Sequence, residues 1–168
     1  MRLDEQLLVE MSRRNTEMIA RYIGNDPKLF KEVVDLVFAG KQPLALRASW
    51  VLSVVTDKYP GLLEPYITEI ISSLEKFDHP GIRRNLLRYI ASNNVPEEED
   101  GLIYDICCRY ILSRSEPPAN KVHAMQIVFN IAQKEPELKR EVRLVFEGLK
   151  DHESVAINSR LRKLTALL

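Results

Sequence analysis

Glycine is scarce in this chain, six residues in 168, and cysteine is scarcer, confined to Cys107 and Cys108. Few glycines mean few of the positive-φ turns that join short strands, and nowhere does a long run alternate apolar with polar residues. A sheet is therefore not expected. The two cysteines are neighbours in a stretch of helical character, where adjacent side chains diverge, so no structural disulfide is expected and a reducing compartment is. The opening Met1-Arg2-Leu3-Asp4-Glu5 lacks the basic start and apolar run of a signal peptide. No apolar stretch of about 18 residues occurs either, so no membrane segment is predicted and the expected location is the cytoplasm. Charge of one sign is lacking too: 24 basic residues balance 24 acidic ones, and the pI is near 6.8. No whole-molecule field draws such a chain to nucleic acid or to an acidic membrane. Also missing are a Gly-rich phosphate loop, a Gly-Lys-Ser or Gly-Lys-Thr triplet, and a local pattern of nucleophile, histidine and carboxylate. No catalytic residue, cofactor or metal is expected, and the chain is not read as an enzyme.

What the sequence has is helical periodicity. Leu29, Val33, Val34, Val37 and Phe38 form one apolar stripe at three- and four-residue spacing. Leu63, Ile67, Ile70, Ile71 and Leu74 form a second, and Leu138, Val142, Val145, Phe146 and Leu149 a third. Pro27, Pro43, Pro60, Pro80, Pro96, Pro118 and Pro136 stand where such stripes begin, as suits a residue tolerated in the first turn of a helix. Taken alternately, they step by 33, 36 and 40 residues from Pro27 to Pro136, and by 37 and 38 from Pro43 to Pro118. The unit is a pair of helices with loops of varying length. Its second helices align from Leu46, Ile82, Val122 and Ile157, and similar exits recur at Arg21-Tyr22-Ile23, Tyr89-Ile90-Ala91 and Asn130-Ile131-Ala132. A period of this size signals a stack in which each pair buries its apolar face against its neighbours. The prediction is one all-α domain over 1–168, an α-α superhelix of about five antiparallel helix pairs. A divergent opening pair covers 1–25, and repeats lie near 26–59, 60–94, 95–134 and 135–168.

The openings of the second helices resemble HEAT-type repeats. The carrying residues are an aliphatic-Arg pair, Leu46-Arg47 and then Asp78-His79-Pro80-Gly81-Ile82-Arg83, the latter after a short Asp-bearing loop. Asp151-His152 with Val155 and Ile157 is a weaker copy carrying Asn158 in place of Arg, and the third copy has Pro117-Pro118 and no Asp. The resemblance covers nearly the whole chain and implies a HEAT-like solenoid whose second helices line the concave side. Counted by helix class with flanking loops, the first helices sum to −10 and the second to +10. Combined with the resemblance, this predicts a basic concave face. Its candidate binding residues are Arg47, Arg83, Arg84, Arg88, Lys121, His123, Arg160, Arg162 and Lys163, with Arg14 and Arg21 as further contributors. Arginine's planar fork suits carboxylate or phosphate. The competing reading is that these bases pair with acids on the first helices, where a surface pair contributes only about 0–1 kcal/mol.

Other groupings carry less. His79 and His152 follow Asp in equivalent loops but lie two repeats apart, roughly 20 Å at ordinary helix spacing. Some HEAT-type iron hydroxylases carry repeated His-Glu dipeptides, and this chain has one, His152-Glu153. The chain is also distantly similar to the HEAT-like DNA alkylation-repair proteins, which use aromatic residues and an acid on the concave surface. Here Trp50 reads as core and Asp57 stands near a helix end, so that catalytic set does not map. Glu97, Glu98, Glu99 and Asp100 read as first-turn acids facing the positive end of a helix. The expected function is a non-enzymatic scaffold binding a protein partner, an acidic or extended segment, on its basic face. The alternative is a nucleic-acid binder or a degenerate repair-type protein. Leu161, Leu164, Leu167 and Leu168 either complete the last helix's core contact or leave an apolar end that forms a homodimer.

Overall fold

The computed structural model describes residues 1–149 and 154–168, and these contain helices and no strand. Ten α-helices among the described residues fall into five successive pairs. The opening pair is α1 (Leu3–Val9) and α2 (Arg13–Ile23). It is followed by α3 (Pro27–Phe38) with α4 (Leu44–Thr56), and by α5 (Ile67–Ser73) with α6 (Pro80–Ser92). Then come α7 (Glu97–Leu112) with α8 (Pro118–Lys134), and α9 (Lys139–Glu147) with α10 (Val155–Thr165).

Five of the seven helix-marking prolines stand at or immediately before the start of an α-helix. Pro27 is the first residue of α3, and the Asp26 carboxylate before it accepts from the backbone N–H groups of Lys28 and Leu29 at 2.8 and 3.2 Å. Two donors that the helix itself leaves orphaned are thereby satisfied. Pro80 and Pro118 open α6 and α8, and Pro43 and Pro96 immediately precede α4 and α7. Pro60 and Pro136 open 3-10 turns instead, and α5 and α9 begin only after them. Before α5 a second proline, Pro65, removes another backbone donor from the entering turn, which leaves room only for short 3-10 pieces. Glu97, Glu98, Glu99 and Asp100 do occupy the first turn of α7. Gly24 ends α2 at φ 54°, a conformation glycine adopts without strain, and its N–H returns to the Ala20 carbonyl at 3.0 Å.

Two compact units result, Met1–Tyr89 and Ile90–Leu168, with the boundary inside α6. In the first unit α2 and α3 both pack on α4, and α1 packs on α2 and α4. With so many neighbours, α4 buries Ala45, Ala48, Ser49, Val51, Leu52, Ser53, Val55 and Thr56. In the second unit α7 and α10 both pack on α8, and α9 packs on α7, α8 and α10. The apolar stripes form the cores: Leu63, Ile70, Ile71 and Leu74 in the first unit, and Val142 and Phe146 in the second, are all buried. Each such side chain contributes about 1.5–3 kcal/mol relative to exposure. Leu161 and Leu164 join the second core, whereas Leu167 stays 59% exposed.

Candidate interaction surface on the second helices

The side chains predicted for a basic face do not stand alike. Arg47 Nη1 donates to the Leu7 carbonyl at 2.7 Å, so α4 reaches back to the last turn of α1 and sets a cation at its negative end. Arg83 Nη1 donates to the Phe77 and Asp78 carbonyls at 2.6 and 3.2 Å, closing the loop before its own helix. Arg88 lies across to α4: Nη1 donates to Ser53 Oγ at 2.5 Å and Nη2 to both carboxylate oxygens of Asp57 at 2.7 Å. In the second unit Arg160 donates to Gln126 Oε1 at 2.5 Å. Lys121 is buried, 4% exposed, and that burial lowers its pKa. His123 is half-buried, and Arg84, Arg162 and Lys163 are exposed.

These placements have one physical reason. A stack of helix pairs leaves carbonyls at the ends of first helices and hydroxyls between second helices, and partly buried acceptors need donors. Side-chain rungs between successive second helices meet the same need. Asn85 Nδ2 donates to the buried Ser49 Oγ at 2.9 Å, and Asn130 Nδ2 donates to the Ala91 carbonyl at 3.0 Å. Ion pairing follows the helix classes only in part. Lys134 and Asp100, 2.9 Å apart, join a second helix to a first one, while Arg13–Glu17 and Arg88–Asp57 stay within the second helices.

The first unit has a grouping on its second helices that the sequence did not single out. Along α4 the residues Arg47, Trp50 and Val54 escape full burial, and the stripe runs on to exposed Asp57 and Lys58. Trp50 was expected in the core but is half-buried at the surface, because α2, α3 and Arg88 of α6 cover the other sides of α4. Two openings lie between α2 and α4. One, of about 350 Å³, has Trp50, Val54 and Asp57 on one wall and Arg13, Thr16 and Glu17 on the other. The second, of about 230 Å³, shares Val54 and Glu17 and continues to Ala20, Arg21, Lys58 and Tyr59. The shared order shows that α2 and α4 run in the same direction. Lys58 Nζ sits 5.1 Å from the centre of the Tyr59 ring.

Cations outnumber acids around these openings. Arg13 is paired with Glu17 at 2.7 Å and Arg88 with Asp57 at 2.7 Å. Arg14, Arg21, Lys58 and Arg84 have no ion pair among the described residues, and all four are exposed. The signal that could have found the grouping was the spacing of Trp50, Val54 and Asp57, one helical stripe, read together with the Arg14 to Arg21 step of two turns.

The remaining candidates are quickly placed. No group of three or more His, Cys, Asp or Glu among the described residues is arranged to hold a metal ion. His79 Nδ1 accepts from the Gly81 N–H at 3.0 Å, and Asp151, His152 and Glu153 lie outside the described residues. Cys107 is buried, which pushes its thiol pKa well up, and partial burial raises that of Cys108 to about 11. No helix among the described residues is long and apolar enough to cross a membrane.

The HEAT repeat domain family matches residues 3–166. The chain belongs to the HEAT repeat family. No curated protein and no solved structure matches it. A HEAT repeat domain is a helical repeat scaffold, a class whose stacked pairs present extended surfaces to other proteins. In this HEAT repeat chain the aliphatic-Arg pair of α6 is visible as structure: Ile82 is buried, while Arg83 secures the loop carbonyls.

Proposed function

We propose that this HEAT repeat chain is a non-enzymatic interaction scaffold in a reducing, cytoplasmic setting, and that it binds an acidic, extended segment of a protein partner on the second-helix face of its first unit. The observation that carries the proposal is Trp50, the chain's single tryptophan, half-buried on α4 beside one opening, with exposed Arg21 and Lys58, neither in an ion pair among the described residues, lining the next. A large amphipathic ring at a surface offers contact area at small entropic cost. Arg21 and Lys58 at the neighbouring opening draw in carboxylates and speed encounter. A phosphate backbone is the poorer fit. Duplex binding of ordinary strength uses about 6–10 phosphate contacts, whereas Arg47, Arg83, Arg88 and Arg160 are committed to internal acceptors.

The test uses a fluorescein-labelled 12-residue peptide of glutamates and leucines, its lysine-for-glutamate counterpart, and a 12-base-pair DNA duplex, all at low salt. The acidic peptide should bind the native chain, and Arg14→Glu with Arg21→Glu and Arg84→Glu should weaken it at least tenfold. The lysine counterpart should not bind. Equal binding of the acidic peptide to both proteins, or duplex binding that is tighter and steeply salt-dependent, would overturn the proposal in favour of another surface or of nucleic acid.

A further inference from the structure

The second unit holds an opening of about 840 Å³ between α9 and α10. Each wall is one helix face. From α9 come Arg143, Phe146 and Glu147, at spacings of three and four residues, and from α10 the stripe running through Leu161 and Arg162 to Thr165. Buried Phe146 and Leu161 make the base apolar, and exposed Ala166 extends it. Both walls thus bring an exposed arginine to an apolar groove. Neither Arg143 nor Arg162 has a hydrogen bond or ion pair among the described residues, unlike Arg160 on the same helix, which donates to Gln126.

We propose that this opening binds a small amphipathic carboxylate, an unbranched alkyl chain ending in a carboxyl group, with its head on the free guanidinium groups and its chain along the base. Charge, chemistry and size argue for that class. A guanidinium fork meets a carboxylate through two parallel hydrogen bonds, and the methylene stem behind the fork adds to the apolar wall. Glu147, the one acid of the lining, already has a partner of its own, so the free charge at the opening is positive. Ligand clefts are mostly apolar with a few polar groups and measure about 300–1,000 Å³, a range that includes 840 Å³. An alkylammonium would meet two cations, and an anion without an apolar body would leave the base unfilled. The inference does not depend on the reading of the first unit's face.

Calorimetric titration of the native chain with hexanoate, octanoate and decanoate, each below its micellar concentration, is the test. Full burial of a methylene tightens binding about fourfold, and a groove open on one side should give about twofold. Decanoate should therefore bind at least tenfold more tightly than hexanoate, and at least tenfold more tightly than decylammonium. Arg143→Gln with Arg162→Gln should weaken decanoate at least tenfold. Ala166→Trp, which fills the opening and keeps both arginines, should do the same, and circular dichroism checks that each variant retains its helices. Equal affinity for decanoate and decylammonium, or decanoate binding unchanged in both variants, would overturn the inference. No binding at millimolar decanoate would overturn it too and leave the groove to a polypeptide.

Discussion

Because Trp50 is the single tryptophan, intrinsic fluorescence reads the electrostatics of the proposed surface without a label. Two exposed cations, Arg21 and Lys58, neither in an ion pair among the described residues, line the opening next to it. With packed helices about 10 Å apart and a screening length of about 10 Å at 0.1 M salt, each cation stabilises a passing monovalent anion by roughly 0.15 kcal/mol. Two together give about 0.3 kcal/mol, half of RT, which enriches iodide about 1.7-fold near the ring and depletes caesium by the same factor. Stern–Volmer constants for the two ions, each normalised to N-acetyltryptophanamide, should therefore stand in a ratio between about 1.5 and 3 at 0.1 M ionic strength. At 1 M salt the screening length shrinks to about 3 Å and the ratio should fall toward one. Arg21→Glu with Lys58→Glu should invert it to roughly one third. If caesium quenches as well as iodide in the native chain at low salt, the surround of Trp50 is not cationic and the case for an acidic partner collapses.

Three other outcomes follow from the geometry. Asn85→Leu leaves Ser49 Oγ without the donor it now meets at 2.9 Å, and should destabilise the chain to urea by about 1–3 kcal/mol. Adding Ser49→Ala should recover much of that loss, and strict additivity of the two changes would refute the buried rung. The exposed Arg88–Asp57 pair should show a coupling of only about 0.2–1 kcal/mol in a double-mutant cycle, smaller in 1 M salt; a value above 2 kcal/mol would mean that solvent is excluded there. Cys108, whose pKa burial raises from 9.0 to about 11, favours folding fully below pH 9, and that contribution is lost as pH rises through 11. Iodoacetamide at pH 8 should thus alkylate the folded chain about 10–100 times more slowly than the urea-unfolded chain, and equal rates would place the thiol in open solvent.

Much of the fold was legible because its punctuation is local. A proline in a first turn, or an apolar stripe such as Leu63-Ile67-Ile70-Ile71-Leu74, declares itself within a dozen residues, whereas the opening pair, with no proline before Pro27, was read only from its exit. The surface was legible only as a sum. Excess positive charge on the second helices is a property of the sequence, but which arginine faces solvent depends on acceptors elsewhere. Arg47 answers a carbonyl 40 positions away and Arg88 a carboxylate 31 away, and no local pattern records either. Trp50 was hidden for the opposite reason. Because α4 is covered on several sides, its apolar residues nearly encircle it, and a periodicity argument has little contrast with which to pick out the open stripe.

The rungs that hold successive second helices also set how the chain yields to force. Within the first unit those from α6 to α4 and its end join residues 31 to 36 positions apart, and the Arg47 rung from α4 to α1 joins residues 40 apart, so none of these spans much more than one helix pair. Pulled from its N-terminus, the first unit meets no longer-range clamp among these rungs to concentrate the load. Each pair should release as its own rung breaks, adding roughly 120 Å of contour for about 35 residues at 3.3–3.6 Å each. Its force–extension trace would be a low sawtooth of near-equal steps, which makes this scaffold a compliant spring rather than a rigid strut.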